Sequence, residues 1–172
     1  MMTKRRFLLS GISLVGVAAV ASTIAGRRAV GAATVTVETF EVTKTADEWR
    51  KQLTPAQFSI MREEGTEAPG TSPLLEEHRV GTFACAACDL PLFASDKKFD
   101  SGTGWPSFWQ EIEGNVKFKR DTSLLAARTE EHCRRCGGHL GHVFDDGPPP
   151  TGKRHCINGV SLVFHPADAT TG

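Results

Sequence analysis

Spacing divides the five cysteines of this chain into two kinds. Cys85-Ala86-Ala87-Cys88 and Cys133-Arg134-Arg135-Cys136 form two C-x-x-C pairs. Two residues between cysteines let both sulfurs of a pair reach one tetrahedral ion. Four thiolates with no open position describe a closed structural site, and zinc, one ion per chain, is the metal expected in it. Two disulfides, or a thioredoxin-type redox motif, would use the same residues, although neither pair has βαβ surroundings. The 44 residues between Cys88 and Cys133 exceed the roughly 15–20 of a compact zinc ribbon, so the ion would staple distant segments of a larger domain. Gly137 and Gly138 offer the positive-φ positions of a knuckle turn.

Cys156 is the odd thiol, within Arg154-His155-Cys156-Ile157-Asn158. A cysteine leading into an apolar run such as Val160–Phe164 is commonly a small buried hydrophobe. Beside a cation it becomes a candidate nucleophile, because the thiolate is the reactive form and Arg154 is placed to favour it. His139 and His142 lie just past the second cysteine pair. Four cysteines already fill a tetrahedral site, so these histidines suit a general-acid or substrate-binding role, the alternative being structural histidines. The segment Lys98–Trp109 packs Gly102, Gly104 and Pro106 among Trp105, Phe108 and Trp109. Aromatic rings bind methyl and thioether groups well, so at least one should be displayed, against the alternative that all are core.

The elements that must hold these residues are short. Thr45 with Glu48, and Thr54 with Pro55 and Gln57, read as N-caps of two scaffold helices. Thr34–Phe40 is β-prone and leads into the domain, and Gly65–Pro73 is a loop. Val116 and Phe118 alternate with Lys117 and Lys119 as a half-buried strand, with a second strand expected over Leu124–Arg128. Short strands bounded by turn residues continue to the end, so the domain is mainly β.

At the start, residues 1–33 carry Lys4, Arg5, Arg6, Arg27 and Arg28 and no acid, leaving 15 basic against 20 acidic residues beyond them. That acidic remainder lacks the basic stripe of a nucleic-acid binder. A basic start followed by a short Gly/Ala/Ser-rich apolar stretch has the layout of an export signal. Arg5-Arg6-Phe7-Leu8-Leu9 resembles a twin-arginine signal, with cleavage expected after Ala32 or Ala33. The alternative is an uncleaved anchor, since Leu8–Ala25 is about 18 residues, barely enough to span. The domain boundaries expected are therefore 1–33 for the signal and 34–172 for the folded domain, exported to a periplasmic or other extracytoplasmic compartment.

Cys85-x-x-Cys88, Ser101-Gly102-Thr103-Gly104-Trp105-Pro106-Ser107-Phe108, Gly138-His139-Leu140-Gly141-His142-Val143-Phe144 and Arg154–Asn158 resemble, in order, the signature blocks of the peptide-methionine (R)-S-oxide reductases, the MsrB family. The resemblance spans about residues 42–166. It implies two antiparallel sheets, β-tent-like, around the active site, with a structural zinc held by Cys85, Cys88, Cys133 and Cys136. It implies reduction of the R epimer of methionine sulfoxide, mostly within oxidised proteins; separately, a monomer is expected. Cys156 would attack, assisted by Arg154, with His139 or His142 as acid. Trp105, with Phe108, would hold the substrate methyl group, and Asn158 the polar network. Many members carry a resolving cysteine where this chain has Thr103. A one-cysteine cycle follows, in which an external thiol donor, thioredoxin-like or other, reduces the sulfenic acid. The competing expectation is a zinc-stapled β-domain used only for binding, which would need no nucleophile beside a cation.

Overall fold

The computed structural model describes residues 38–124 and 126–167. Two capped helices open this body: α1, Ala46–Gln52, and α2, Pro55–Glu63. Each begins with the reciprocal capping box expected from its sequence, Thr45 with Glu48 and Thr54 with Gln57. Helices this short are marginal alone, so their burial decides their fate. Trp49 of α1 and Phe58, Ile60 and Met61 of α2 are buried.

Nine strands follow in two antiparallel sheets. β1 (Gly81–Cys85) lies between β2 (Pro91–Ala94) and β9 (Leu162–Pro166). The larger sheet runs β3 (Lys98–Phe99), β4 (Ser107–Phe108), β8 (Arg154–Ile157), β7 (His139–Phe144), β6 (Arg128–Cys133), β5 (Val116–Asp121). This is the mainly β, two-sheet architecture expected from the sequence.

The core lies where aromatic residues of the two sheets meet. Phe108 of β4 stacks on Phe93 of β2 at 4.4 Å between ring centroids and meets Phe83 of β1 edge-on at 5.0 Å. All three are fully buried, and each contributes about 1.5–3 kcal/mol by leaving water. Phe108 was a candidate substrate contact, and its place in this stack corrects that assignment. A residue on a two-residue strand between a loop and the core must face one or the other, and the Phe93 ring holds it inward.

Two local expectations also shift. The strand anticipated at Leu124–Arg128 begins only at Arg128; the chain turns first, with Asp121 accepting from the Ser123 amide at 2.8 Å. Residues Glu38–Phe40 are not in a strand, and the rest of that β-prone stretch, with the expected signal, lies outside the described residues. No helix among the described residues is long and apolar enough to cross a membrane.

Candidate active site and metal centre

The four paired cysteines converge. Their sulfurs all lie within 4.8 Å of one another, with Cys85–Cys136 at 3.7 Å and Cys88–Cys133 at 3.5 Å. A tetrahedral ion with sulfurs at 2.3 Å needs an edge of about 3.8 Å, so the donor set fits a metal ion. Cys85 closes β1 and Cys133 closes β6, so the cluster ties one sheet to the other. Gly137, at φ 66°, turns the second knuckle, where a side chain would meet the Phe40 ring; Gly138 needs no positive φ. Crowding among the thiols sets their ionisation. Hydrogen bonding with Cys133 pushes Cys85 and Cys136 up and draws Cys88 down. A bound cation would remove that conflict by favouring thiolate at every position.

Cys156 stands apart on β8. It pairs in register with Ser107 of β4 on one side and His142 of β7 on the other, and His142 pairs in turn with Glu130 of β6. Residues directly opposite in neighbouring strands share a face, so Ser107, Cys156, His142 and Glu130 form one transverse row. Gly141 lets β7 approach: a Cβ there would fall 2.0 Å from the Cys156 carbonyl oxygen.

His139 joins that row through an irregularity. Three residues from His142, it would sit on the opposite face of a regular strand. The register slips at Glu131/His132, pairing His139 with His132 and His142 with Glu130. Since His132 and Glu130 are two apart, the bulge returns both histidines to one face, with their ring centroids 5.5 Å apart. Carboxylates orient each ring. His139 Nδ1 lies 2.6 Å from Glu130 Oε1, and His142 Nε2 lies 2.8 Å from Asp121 Oδ2. Burial works against the Glu130 carboxylate, but hydrogen bonds from His132 and His139 outweigh it and bring its pKa down to about 2. Hydrogen bonds from Ser123, His142 and Arg128 hold Asp121 well below the usual carboxylate range. Burial pushes His142 below its ordinary value against the pull of Asp121.

The thiol opens into a cavity of about 120 Å³ lined by Thr66, Trp105, Arg128, Phe144, Cys156 and Asn158. That is well below the roughly 300–1,000 Å³ of a drug-sized ligand site. It suits the end of one side chain. Arg154 supports the wall: its guanidinium forks onto Asp146 at 2.8 and 2.9 Å and lies 4.4 Å from the Phe144 ring centroid. Burial pushes the Cys156 thiol up, against the opposing pull of the Arg154 guanidinium. The net shift is upward, burial outweighing the nearby cation.

Residues with no signature in the sequence complete the wall. Glu67, in the loop after α2, accepts from the Gly159 and Val160 amides at 2.5 and 3.2 Å. Its own amide donates to Asn158 Oδ1 at 3.0 Å, and its carbonyl accepts from the Trp105 indole at 3.1 Å. Asn158 Nδ2 then donates to Leu140 O at 3.0 Å. Glu67 thus fixes Trp105 to Asn158. Its loop is rich in Gly and Pro, which marks a turn but says nothing of a buried carboxylate. Asp121, Glu130, Arg128 and Thr66 were equally silent.

Comparison with known proteins decides the family. A model described as the SelR domain matches residues 53–166. A protein of Agrobacterium fabrum named peptide methionine sulfoxide reductase MsrB is 55% identical over 127 residues, covering 73% of this chain and 94% of the relative. Proteins of the same name from Thiobacillus denitrificans and Methanosarcina barkeri are 53% and 54% identical, covering 73% and 72% of this chain and 96% and 87% of the relatives. The chain belongs to the MsrB family of peptide methionine sulfoxide reductases. Within this MsrB domain both C-x-x-C pairs, the histidine block and the Cys156 block fall inside the matched span. The crystal structure of a Mis18 "Yippee-like" domain aligns at TM-score 0.41 and 19% identity, over 52% of this chain and 98% of that one.

Proposed function

We propose that this MsrB domain reduces the R epimer of methionine sulfoxide in oxidised proteins, with Cys156 as nucleophile. One observation carries the reading: the single thiol outside the metal cluster lines a small cavity with an indole and a carboxamide. Trp105 offers its ring to the substrate methyl group, and Asn158 holds the cavity wall. Cys156 attacks as thiolate, Arg154 supplying part of the positive field that stabilises it. His142, in the same row and oriented by Asp121, donates the proton that the sulfoxide oxygen needs, and His139 fixes the ring beside it. The sulfoxide S–O bond breaks, the oxygen passes to Cys156 and the two electrons pass to the substrate sulfur. Methionine leaves, and Cys156 remains as a sulfenic acid.

Recovery then needs an outside thiol. The other four cysteines are one another's neighbours, and at position 103 a hydroxyl, not a thiol, meets the Cys156 sulfur. One external thiol condenses with the sulfenic acid, releasing water; a second displaces it as a disulfide and restores Cys156. The cluster holds zinc, whose all-sulfur tetrahedral preference matches the donor set, and its role is structural. The basic N-terminal segment directs export by a twin-arginine-type route and is cleaved near Ala33; N-terminal sequencing of the exported protein would read a start near that residue.

Activity is tested with an R-sulfoxide peptide and dithiothreitol, comparing the wild type with Cys156→Ser. Turnover should fall by about 10³-fold or more, as for removal of other nucleophiles, with metal content retained. An inert, metal-loaded wild type would instead leave a binding domain. Trapping with a sulfenic-specific reagent after stoichiometric substrate tests the cycle, and a disulfide to Cys156 would overturn it.

A further inference from the structure

Three hydroxyls connect the Cys156 sulfur to the backbone of Trp105. Thr103 Oγ1 lies 3.9 Å from Cys156 Sγ, Ser101 Oγ lies 2.8 Å from Thr103 Oγ1, and Ser107 Oγ lies 2.7 Å from Ser101 Oγ. At the far end Ser107 Oγ is 3.0 Å from the Trp105 carbonyl oxygen. Gly102 and Gly104, both at positive φ, fold the loop so that Ser101 and Thr103 meet.

A hydroxyl has one proton to donate, so one fixed end sets the direction of the whole chain. The Trp105 carbonyl can only accept, so Ser107 donates to it. Ser107 must then accept from Ser101, and Ser101 from Thr103. Ser101 also accepts from the Thr103 amide at 3.4 Å, which fills its second lone pair. Thr103 has no proton left for sulfur. It can only accept one, from Cys156 as a thiol. Thr103 can stabilise a thiolate only if every hydroxyl rotates and Ser107 releases the Trp105 carbonyl.

We propose that Thr103, Ser101 and Ser107 form a polarity switch. Anchored on Trp105, the chain holds Cys156 as the thiol; reversed, it donates to the thiolate. Trp105 and Cys156 line the same cavity, so a substrate side chain pressing on the indole acts at the anchored end. Reactivity is thereby raised when the cavity is filled and held back when it is empty. This rests on Cys156 being the nucleophile.

The test measures Cys156 itself, separately from turnover: the pH dependence of its alkylation by iodoacetamide in metal-loaded protein without substrate, read by intact mass. Ser107→Ala removes the link to Trp105 and Ser101→Ala cuts the chain, so both free Thr103 to donate. Both should lower the apparent pKa of alkylation. Adding Thr103→Val to Ser101→Ala removes the freed donor and should raise it again, and Thr103→Val alone should slow turnover at pH 7 about tenfold; Thr103→Ser should stay near wild type. Arg154 on β8 and Arg128 at the head of β6 face the sulfur as cations, His142 lies across β7, and Glu131 acts from the far side of the sheet. All four remain in each variant, so opposite shifts report the hydroxyls. Loss of order around a buried serine would move every variant the same way. Shifts of one sign, or none, overturn the switch, and do so even if the wild type proves inert on sulfoxide peptides.

Discussion

The metal cluster and the thiol cavity use the same side chain for opposite purposes. In the cluster, four sulfurs sit within 4.8 Å of one another, a donor set that fits one metal ion. In the cavity, one sulfur faces a hydroxyl, two arginines and an aromatic wall, with no second thiol in contact. The cluster is assembled from two nearly identical local turns. The cavity draws on β8, β7, β6, the loop before β4 and the loop after α2. Local repetition makes a site robust to the rest of the fold, whereas dispersed assembly makes it sensitive to every register.

The largest expected effect breaks the cluster. A structural zinc contributes about 10–16 kcal/mol to folding in small finger peptides, against a typical net stability of about 5–15 kcal/mol. Cys133→Ser should therefore lose metal and cooperative unfolding together, seen as a melting temperature lowered by more than about 10 °C. A normal melt with zinc absent would show that packing alone joins the sheets. A smaller effect is expected on the cavity side. Asp121→Asn keeps the His142 contact but removes the carboxylate that favours its protonated form, so turnover should fall about tenfold or more. The alkaline limb of the pH profile, where the imidazolium loses its proton, should move lower, because losing an anion depresses the imidazole further. An unchanged profile would free His142 from the acid role. The smallest concerns the resting thiol. Its pKa is raised above its usual 9.0 by burial, so the thiolate is scarce at neutral pH. Alkylation of substrate-free protein should climb about tenfold per pH unit from 7 to 9. A plateau below pH 8 would mean the opposing pull of Arg154 dominates.

Much of this was legible in the chain. The capping boxes at Thr45 and Thr54 carry their partners three residues on, so helix starts follow from local chemistry. The C-x-x-C pairs likewise hold their geometry within four residues. Strand β6 was less legible, because Arg128-Thr129-Glu130-Glu131-His132 has no apolar alternation. Its polar side chains are buried by pairing: Glu130 with His132 and His139, and Glu131 with His155 at 2.6 Å across the gap left by Gly141. Periodicity reports transfer of apolar groups from water, and says nothing of buried hydrogen bonds that form between distant segments.

By itself the sequence determined which sulfurs belong together and which one is left over, since two-residue spacing and a missing partner are counted along the chain. It also determined the neighbours of Cys156, Arg154 and Asn158. Only the tertiary structure decided that His139 and His142 share a face, because that depends on a bulge opposite Glu131 and His132. Only it decided that Phe108 belongs to the core while Trp105 lines the cavity, and that Glu67 ties Trp105 to Asn158. Those outcomes depend on strand register and loop contact, which relate residues far apart in the chain and leave no local trace in it.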